Sequence, residues 1–169
     1  ELMKDTADRV LVDTPMVRRS NLIVPLMTER YVANAATYKS DAITLDLTAS
    51  VPPPQKIITR ERIRNFLPIA SRGATEVFVK VTKTALEADL TASLHPGLTG
   101  VALSQVESPQ EILKAEKLIE RLEERRGISI GSTELLVIVD TSLGVWKIKE
   151  ILSTSKRIKQ VALNEASLC

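Results

Sequence analysis

The sequence predicts an α/β fold of parallel strands joined by helical crossovers, and three observations predict it. Six short apolar runs begin near residues 20, 41, 75, 100, 132 and 157, far enough apart for a helix to carry the chain back each time. Helix-compatible stretches lie between them. One stretch, Gly100 to Arg126, shows a complete unit: an apolar run, a carboxylate at Glu107, then a helix start. Ser108 is a good N-cap, Pro109 suits the first helical position, and Glu111 completes an S-x-x-E capping box. Ile112, Ala115, Ile119 and Leu122 recur at helical spacing, and Gly127 follows a basic last turn. Strand C-termini that run straight into helices are where α/β proteins gather ligands. The rhythm alone fits both a doubly wound open sheet and an eight-fold barrel.

The elements follow in order. Residues 1–17 show no clean periodicity and read as an N-terminal extension or short helix; residues 18–169 form the main domain. Ser20–Leu26 reads as a buried strand with a proline near its end. Thr28–Lys39 is a helix carrying Tyr31, Ala35 and Tyr38 on one side. Asp41–Leu47 is the second strand, and the prolines at 52 to 54 force an extended loop. Thr59–Ala70 is a helix whose Pro68 distorts the last turn. Thr75–Val81 is the third strand, Ala85–Leu94 a helix, and Gly100–Val106 the fourth strand. Glu134–Asp140 is the fifth strand, Val145–Thr154 a helix, and Arg157–Asn164 the sixth strand.

Bulk properties exclude several functions. With 169 residues there is room for one core and not two. The formal net charge is only +2, and one Trp, two Tyr and two Phe leave little for stacking on bases. Arg60, Arg62 and Arg64 form the clearest basic cluster, but Glu61 interrupts it and it reads as a solvated helix face, so nucleic acid is at most an indirect partner. The single cysteine, Cys169, excludes an internal disulfide and fits a reducing compartment. No Cys/His cluster suggests zinc, no apolar run is long enough to span a membrane, and no G-x-G-x-x-G or Walker sequence follows a strand. The start has neither a signal-peptide pattern nor an initiator methionine, as expected of a processed or truncated precursor. The lone His95 reads as a loop or packing residue, and Ser142 has no elbow motif for a triad.

The order of segments then becomes recognisable. RRSNLIVP, DAITLDLTASVPP, EVFVKVTK, GVALSQVES, LLVIVDTSLGV and VALNEASL resemble the citrate lyase beta-chain-like group of the HpcH/HpaI aldolase superfamily. The resemblance implies a TIM-type (β/α)8 barrel, often trimeric, of which this chain holds about six of eight strand-helix units. It also implies a magnesium ion at the barrel mouth and cleavage of malyl-, citramalyl- or citryl-CoA. Active relatives end the second strand in Leu-Asp-Leu-Glu-Asp, where this chain has Leu45-Asp46-Leu47-Thr48-Ala49. Their third-strand arginine, which grips the substrate carboxylate, is matched by Lys80, which keeps the charge without the bidentate fork. Of Pro-Lys-Val-Glu-Ser, the segment Ser104-Gln105-Val106-Glu107-Ser108 retains the glutamate that the resemblance makes a metal ligand. Ile-Glu-Thr becomes Val139-Asp140-Thr141, and Ser167 stands where the second metal-binding aspartate is expected.

A magnesium site needs hard oxygen ligands in octahedral array, commonly two carboxylates with waters and substrate oxygens. Glu107 opposite Ser167 supplies one charge where two are expected. Only Glu165 in a shifted register, or Asp140 reaching across, could supply the other. The expectation is therefore a degenerate lyase-like barrel with no cofactor, acting as a structural or interaction subunit of a larger assembly or as a homo-oligomer. A mitochondrial location is expected from eukaryotic relatives, a cytoplasmic one otherwise. The rival is a magnesium-dependent carbon-carbon lyase acting on an acyl-CoA or keto acid. Its site would be built from Lys80, Asp46 and Asp140, with Arg18 and Arg19 binding an anionic group and Glu107 the metal.

Overall fold

The computed structural model describes residues 17–27, 29–72 and 76–168. The expected N-terminal extension therefore lies almost wholly outside the described residues. Among the described residues, six strands form one sheet: β1 (Asn21–Pro25), β2 (Ala42–Asp46), β3 (Glu76–Thr82), β4 (Gly100–Ser104), β5 (Glu134–Val139) and β6 (Ile158–Leu163). Every neighbouring pair is parallel and the spatial order is the chain order. Helices α1 (Glu29–Ala35), α2 (Lys56–Ala70), α3 (Leu86–Ser93), α4 (Pro109–Arg126), α5 (Ser142–Trp146) and α6 (Ile148–Leu152) fill the connections.

This topology separates the two architectures that the rhythm left open. A doubly wound sheet reverses its strand order at a switch point and is covered by helices on both faces. Here the order never reverses, and the two faces differ. Ile43, Leu45, Val77, Val79, Leu103 and Val137 belong to the large apolar core shared with the helices. The alternate residues Ala42, Phe78, Ala102, Leu136 and Ile138 form a separate small cluster against Ala162. One face under helices and one face filled by its own side chains is the cross-section of a (β/α) barrel, curled here into a six-stranded half-barrel.

The inner face is packed, not hollow. Phe78 is 1% exposed. Its ring sits where a side chain on Gly100 would lie, since a Cβ there would come within 2.7 Å of the ring and 2.6 Å of the Glu134 carbonyl oxygen. Glycine at position 100 is what lets Phe78 fill the lumen between β3 and β4.

Several local expectations are corrected. β1 is not buried throughout: it alternates, with only Val24 buried, because it lies at the edge of the sheet. α1 buries Val32 and Ala35, whereas Tyr31 and Tyr38 face outward. The prolines enter a 3-10 turn, Pro53–Gln55, to which the fixed proline φ is well suited. α2 begins at Lys56 and runs through Pro68 to Ala70. The last crossover is two short helices, because the chain leaves helical geometry at Lys147. α4 matches the reading closely, buries Ile112, Ala115, Ile119 and Leu122, and ends on Gly127 at a left-handed φ of 64°.

Candidate functional site at the strand C-termini

Parallel strands bring all their C-terminal ends to one side, and the side-chain alternation decides which residues face the lumen there. Asp46 on β2 and Lys80 on β3 are register partners on the inner face, and Lys80 is in turn paired with Ala102 on β4. Continuing Leu136 and Ile138 by one step of the alternation places Asp140 on the same side. Glu107 lies beyond β4, on the short loop into α4. The sheet thus gathers Asp46, Lys80, Asp140 and Glu107 at one end. It carries Arg18 and Arg19 to the other.

That separation corrects the expectation that Arg18 and Arg19 share one site with Lys80, Asp46, Asp140 and Glu107. Both precede β1, so a parallel sheet sets them at the N-terminal rim. There Arg18 donates to Glu76, with one contact of 2.7 Å, approaches Glu134 at 2.8 Å, and lies 5.1 Å from the Phe78 ring centroid. The bond to Glu76 raises the guanidinium pKa further, so this charge is permanently spent on the floor of the half-barrel. Arg19 gives its backbone N–H to Asp41 at 2.9 Å, and its side chain is 81% exposed.

At the mouth, the carboxylates are already engaged by the protein itself. Asp46 is 7% exposed. It accepts from the backbone N–H of Thr48 at 2.7 Å and from the Thr48 hydroxyl at 2.6 Å. Asp140 accepts from the backbone N–H of Gln105 at 2.8 Å, pinning a residue whose φ of 62° is costly for a side chain other than glycine. Both aspartates act as clasps for the loops that follow strands. The Ser167 hydroxyl accepts from the Asn164 side chain at 2.8 Å in the turn after β6.

Glu107 is held by Lys83, a residue the sequence reading passed over. The Lys83 ammonium hydrogen-bonds Glu107 and lies 3.2 Å from Glu111 Oε1. Glu111 uses its other oxygen to accept from the backbone N–H groups of Glu107, at 2.7 Å, and Ser108, at 3.2 Å. The predicted capping box thus doubles as a socket for a lysine from the β3–α3 loop. The hydrogen bond from Lys83 is the main reason that the Glu107 carboxyl sits below its ordinary range, with Thr141 and Lys147 adding to it. Reciprocally, Glu107 holds the Lys83 ammonium above its ordinary range.

The fit to magnesium is poor on this donor set. Glu107 faces an ammonium, Asp46 and Asp140 bind loop amides, and Ser167 is neutral. Among the described residues, no group of three His, Cys, Asp or Glu side chains is placed to hold a metal ion. What the mouth does offer is Lys80, half-buried on the inner face with no ion-pair partner among the described residues.

An open arc of parallel strands in chain order, with helices on its outer face, defines a protein of the (β/α)-barrel class. The chain belongs to the HpcH/HpaI aldolase/citrate lyase family, whose profile matches residues 19–169. It is 33% identical to the citrate lyase beta subunit of Escherichia coli over 149 residues, covering 86% of this chain and 49% of that protein. It is 29% identical to the Haemophilus influenzae subunit over 150 residues, covering 87% of this chain and 52% of that protein. The chain thus spans about half the length of the curated relatives it matches. Among solved structures, a citrate lyase from Burkholderia xenovorans superposes with a TM-score of 0.74 at 13% identity, over 94% of this chain and 52% of the other. The CitE protein of Mycobacterium tuberculosis, solved with magnesium and pyruvate, superposes with a TM-score of 0.63 at 19% identity, over 90% and 58% of the two chains. At such identities these two establish the fold alone. No helix among the described residues is long and apolar enough to cross a membrane.

Proposed function

We propose that this chain is a catalytically degenerate citrate lyase beta-like protein that serves as a structural or interaction subunit of a larger assembly. One observation carries the reading: the Lys83 ammonium lies between Glu107 and Glu111, where a divalent cation would need free carboxylate oxygens. A tethered cation neutralises the site at no cost in ion binding, but it cannot accept substrate oxygens as ligands in the way a Lewis acid must. Support for the subunit role comes from Trp146, 86% exposed on the helical crossover between β5 and β6. A mitochondrial setting rests on the family resemblance alone and is read out by cell fractionation.

The test is the native mass of the endogenous protein in a gentle lysate. Co-migration with a much larger particle, weakened by Trp146→Asp, is the expected outcome. Migration as a free small oligomer, together with magnesium-dependent cleavage of citramalyl-, malyl- or citryl-CoA, would overturn it.

That second outcome describes the alternative, a carbon-carbon lyase. It is favoured by Lys80, an unpaired cation on the inner face beside Asp46, and by the lyase names of the relatives. In that reading Lys80 binds the substrate carboxylate and Asp140 supplies the second charge. Pyruvate binding that requires magnesium, and that is lost in Lys80→Gln, is its signature.

A further inference from the structure

The outer wall of the half-barrel carries a groove that none of Asp46, Lys80, Glu107 and Asp140 lines. It lies between α2 and α3 and has a volume of about 730 Å³. Its apolar lining includes Ile57, Ala88 and Ala92, and its polar lining includes Arg64 and His95. The size is that of a small-molecule site. The small side chains of Ala88 and Ala92 on α3 leave the space that larger residues would fill.

The charge along the groove is not even. At one end, Glu87 is paired with Arg121 at 3.0 Å, and Arg60 is fixed to the buried Asp89 at 2.8 Å. Glu61 lines the same groove and is exposed. At the His95 end the balance is positive. Arg64 has no ion-pair partner among the described residues. Arg126 comes up from the end of α4 and donates to the carbonyl oxygens of Leu94 and Thr91, which neutralises the C-terminus of α3 without supplying an anion. Arg125 adds to the cationic field around Arg126. Burial, and then Arg126 and Arg64, hold the His95 imidazole below its ordinary pKa.

We infer that this groove binds a small oxyanion carried on an apolar body, such as a phosphomonoester, with Arg64 and His95 holding the anion and Ile57, Ala88 and Ala92 contacting the body. The guanidinium supplies paired donors for the oxyanion. Burial and the cationic neighbours disfavour the charged imidazole, and a negative charge beside it favours protonation. Within the Arg60, Arg62 and Arg64 cluster, Arg60 braces the wall through Asp89, while Arg62 and Arg64 are exposed and Arg64 lines the groove.

His95 is the only histidine in the chain, so its ring resonances report on this groove without assignment ambiguity. The experiment is an NMR titration of His95 with inorganic phosphate, against sodium chloride at matched ionic strength, in the full chain and in Arg64→Gln. Because Arg64 is exposed, the substitution leaves the fold intact. Phosphate is expected to raise the His95 pKa by about half a pH unit or more relative to chloride, and Arg64→Gln is expected to remove most of that rise. Phenyl phosphate is expected to bind about tenfold tighter than inorganic phosphate, because the ring reaches the apolar wall. A His95 titration that phosphate leaves where chloride does would overturn the inference, as would an equal response in Arg64→Gln. Equal binding of the two phosphates would overturn the assignment of an apolar body.

Discussion

Replacing Arg157 with methionine removes one partner from the most deeply buried ion pair among the described residues. Arg157 is 6% exposed, and Glu123, its partner near the end of α4, is fully buried. The two groups face each other in a fork, with contacts of 2.9 and 2.7 Å, and Arg157 also donates to the Thr133 carbonyl oxygen at 3.1 Å. Glu123 accepts in addition from the backbone N–H groups of Gly131 and Thr133, both at 2.9 Å. Burial pushes the Glu123 carboxyl up, but Arg157 and the two amides outweigh it and lower the pKa from 4.5 to about 2. At ~1.4 kcal/mol per pH unit, that lowering makes ionised Glu123 worth roughly 3 kcal/mol to the folded state. Stranding a buried charge by deleting its partner is independently expected to cost about 3–5 kcal/mol. Against a typical domain stability of about 5–15 kcal/mol, the loss is large. Urea unfolding at pH 7 should therefore show Arg157→Met less stable by about 3 kcal/mol. The sign in pH follows from the lowered pKa: the contribution is complete above pH 4.5 and is lost as pH falls toward 2. The stability gap between the native protein and Glu123→Gln should close over that window. An Arg157→Met cost below about 1 kcal/mol, or a gap to Glu123→Gln that does not change with acidification, would refute the reasoning.

Three further outcomes follow from the geometry. Lys83→Ala should let the Glu107 carboxyl rise toward its ordinary pKa, since the lysine hydrogen bond is the largest cause of its lowering; a carboxyl ¹³C titration that does not move would count against the Lys83 assignment. Gly144→Ala should destabilise by about 1–3 kcal/mol in thermal or urea unfolding, because the new Cβ would come within 2.5 Å of the Val106 carbonyl oxygen, a backbone atom that cannot turn aside. Arg18→Met should cost about 2–4 kcal/mol at pH 7 by leaving Glu76 and Glu134 facing each other at the N-terminal rim. A cost below about 1 kcal/mol in urea unfolding would argue that these ion pairs contribute little to the folded state.

The parts of this fold that were legible in the sequence are those written in local period and local chemistry. α4 announces its start through Ser108, Pro109 and Glu111 and its end through Gly127, and the apolar runs of β2 to β5 mark strands buried on both faces. What escaped depends on residues far apart in the chain. Lys83 meets Glu107 across a separation of 24 residues, and Arg157 meets Glu123 across 34. Neither lysine nor arginine carries a pattern that says which carboxylate it will find. The placement of Arg18 failed for a different reason: proximity to β1 in sequence says nothing about which end of a parallel sheet a residue occupies until the strand direction is fixed. The burial of β1 was overestimated because an apolar run does not reveal whether a strand has one neighbour or two.

The two ends of the half-barrel use charge for opposite purposes, and this bears on how the mouth should be read. At the N-terminal rim a cation is surrounded by carboxylates and an aromatic face, an arrangement that only holds strands together. At the C-terminal ends Asp46, Asp140 and Glu107 have been drawn into the same kind of duty, binding Thr48, Gln105 and Lys83. Catalytic groups must be kept partly unsatisfied so that substrate completes them, and proteins commonly give up stability to do so. Satisfied carboxylates do the reverse: they fasten the loops that follow the strands. Of Asp46, Lys80, Glu107 and Asp140, Lys80 is the one without an ion pair or side-chain hydrogen bond among the described residues. An isolated ammonium on the inner face can attract a carboxylate, but polarising a keto acid toward bond cleavage also needs a second electrophile and a base within reach. Substituting Lys80 therefore separates the two readings by kind of effect. In a binding or structural protein, Lys80→Gln weakens anion affinity and leaves assembly untouched. In a lyase it lowers kcat/KM through KM while any metal-dependent turnover persists.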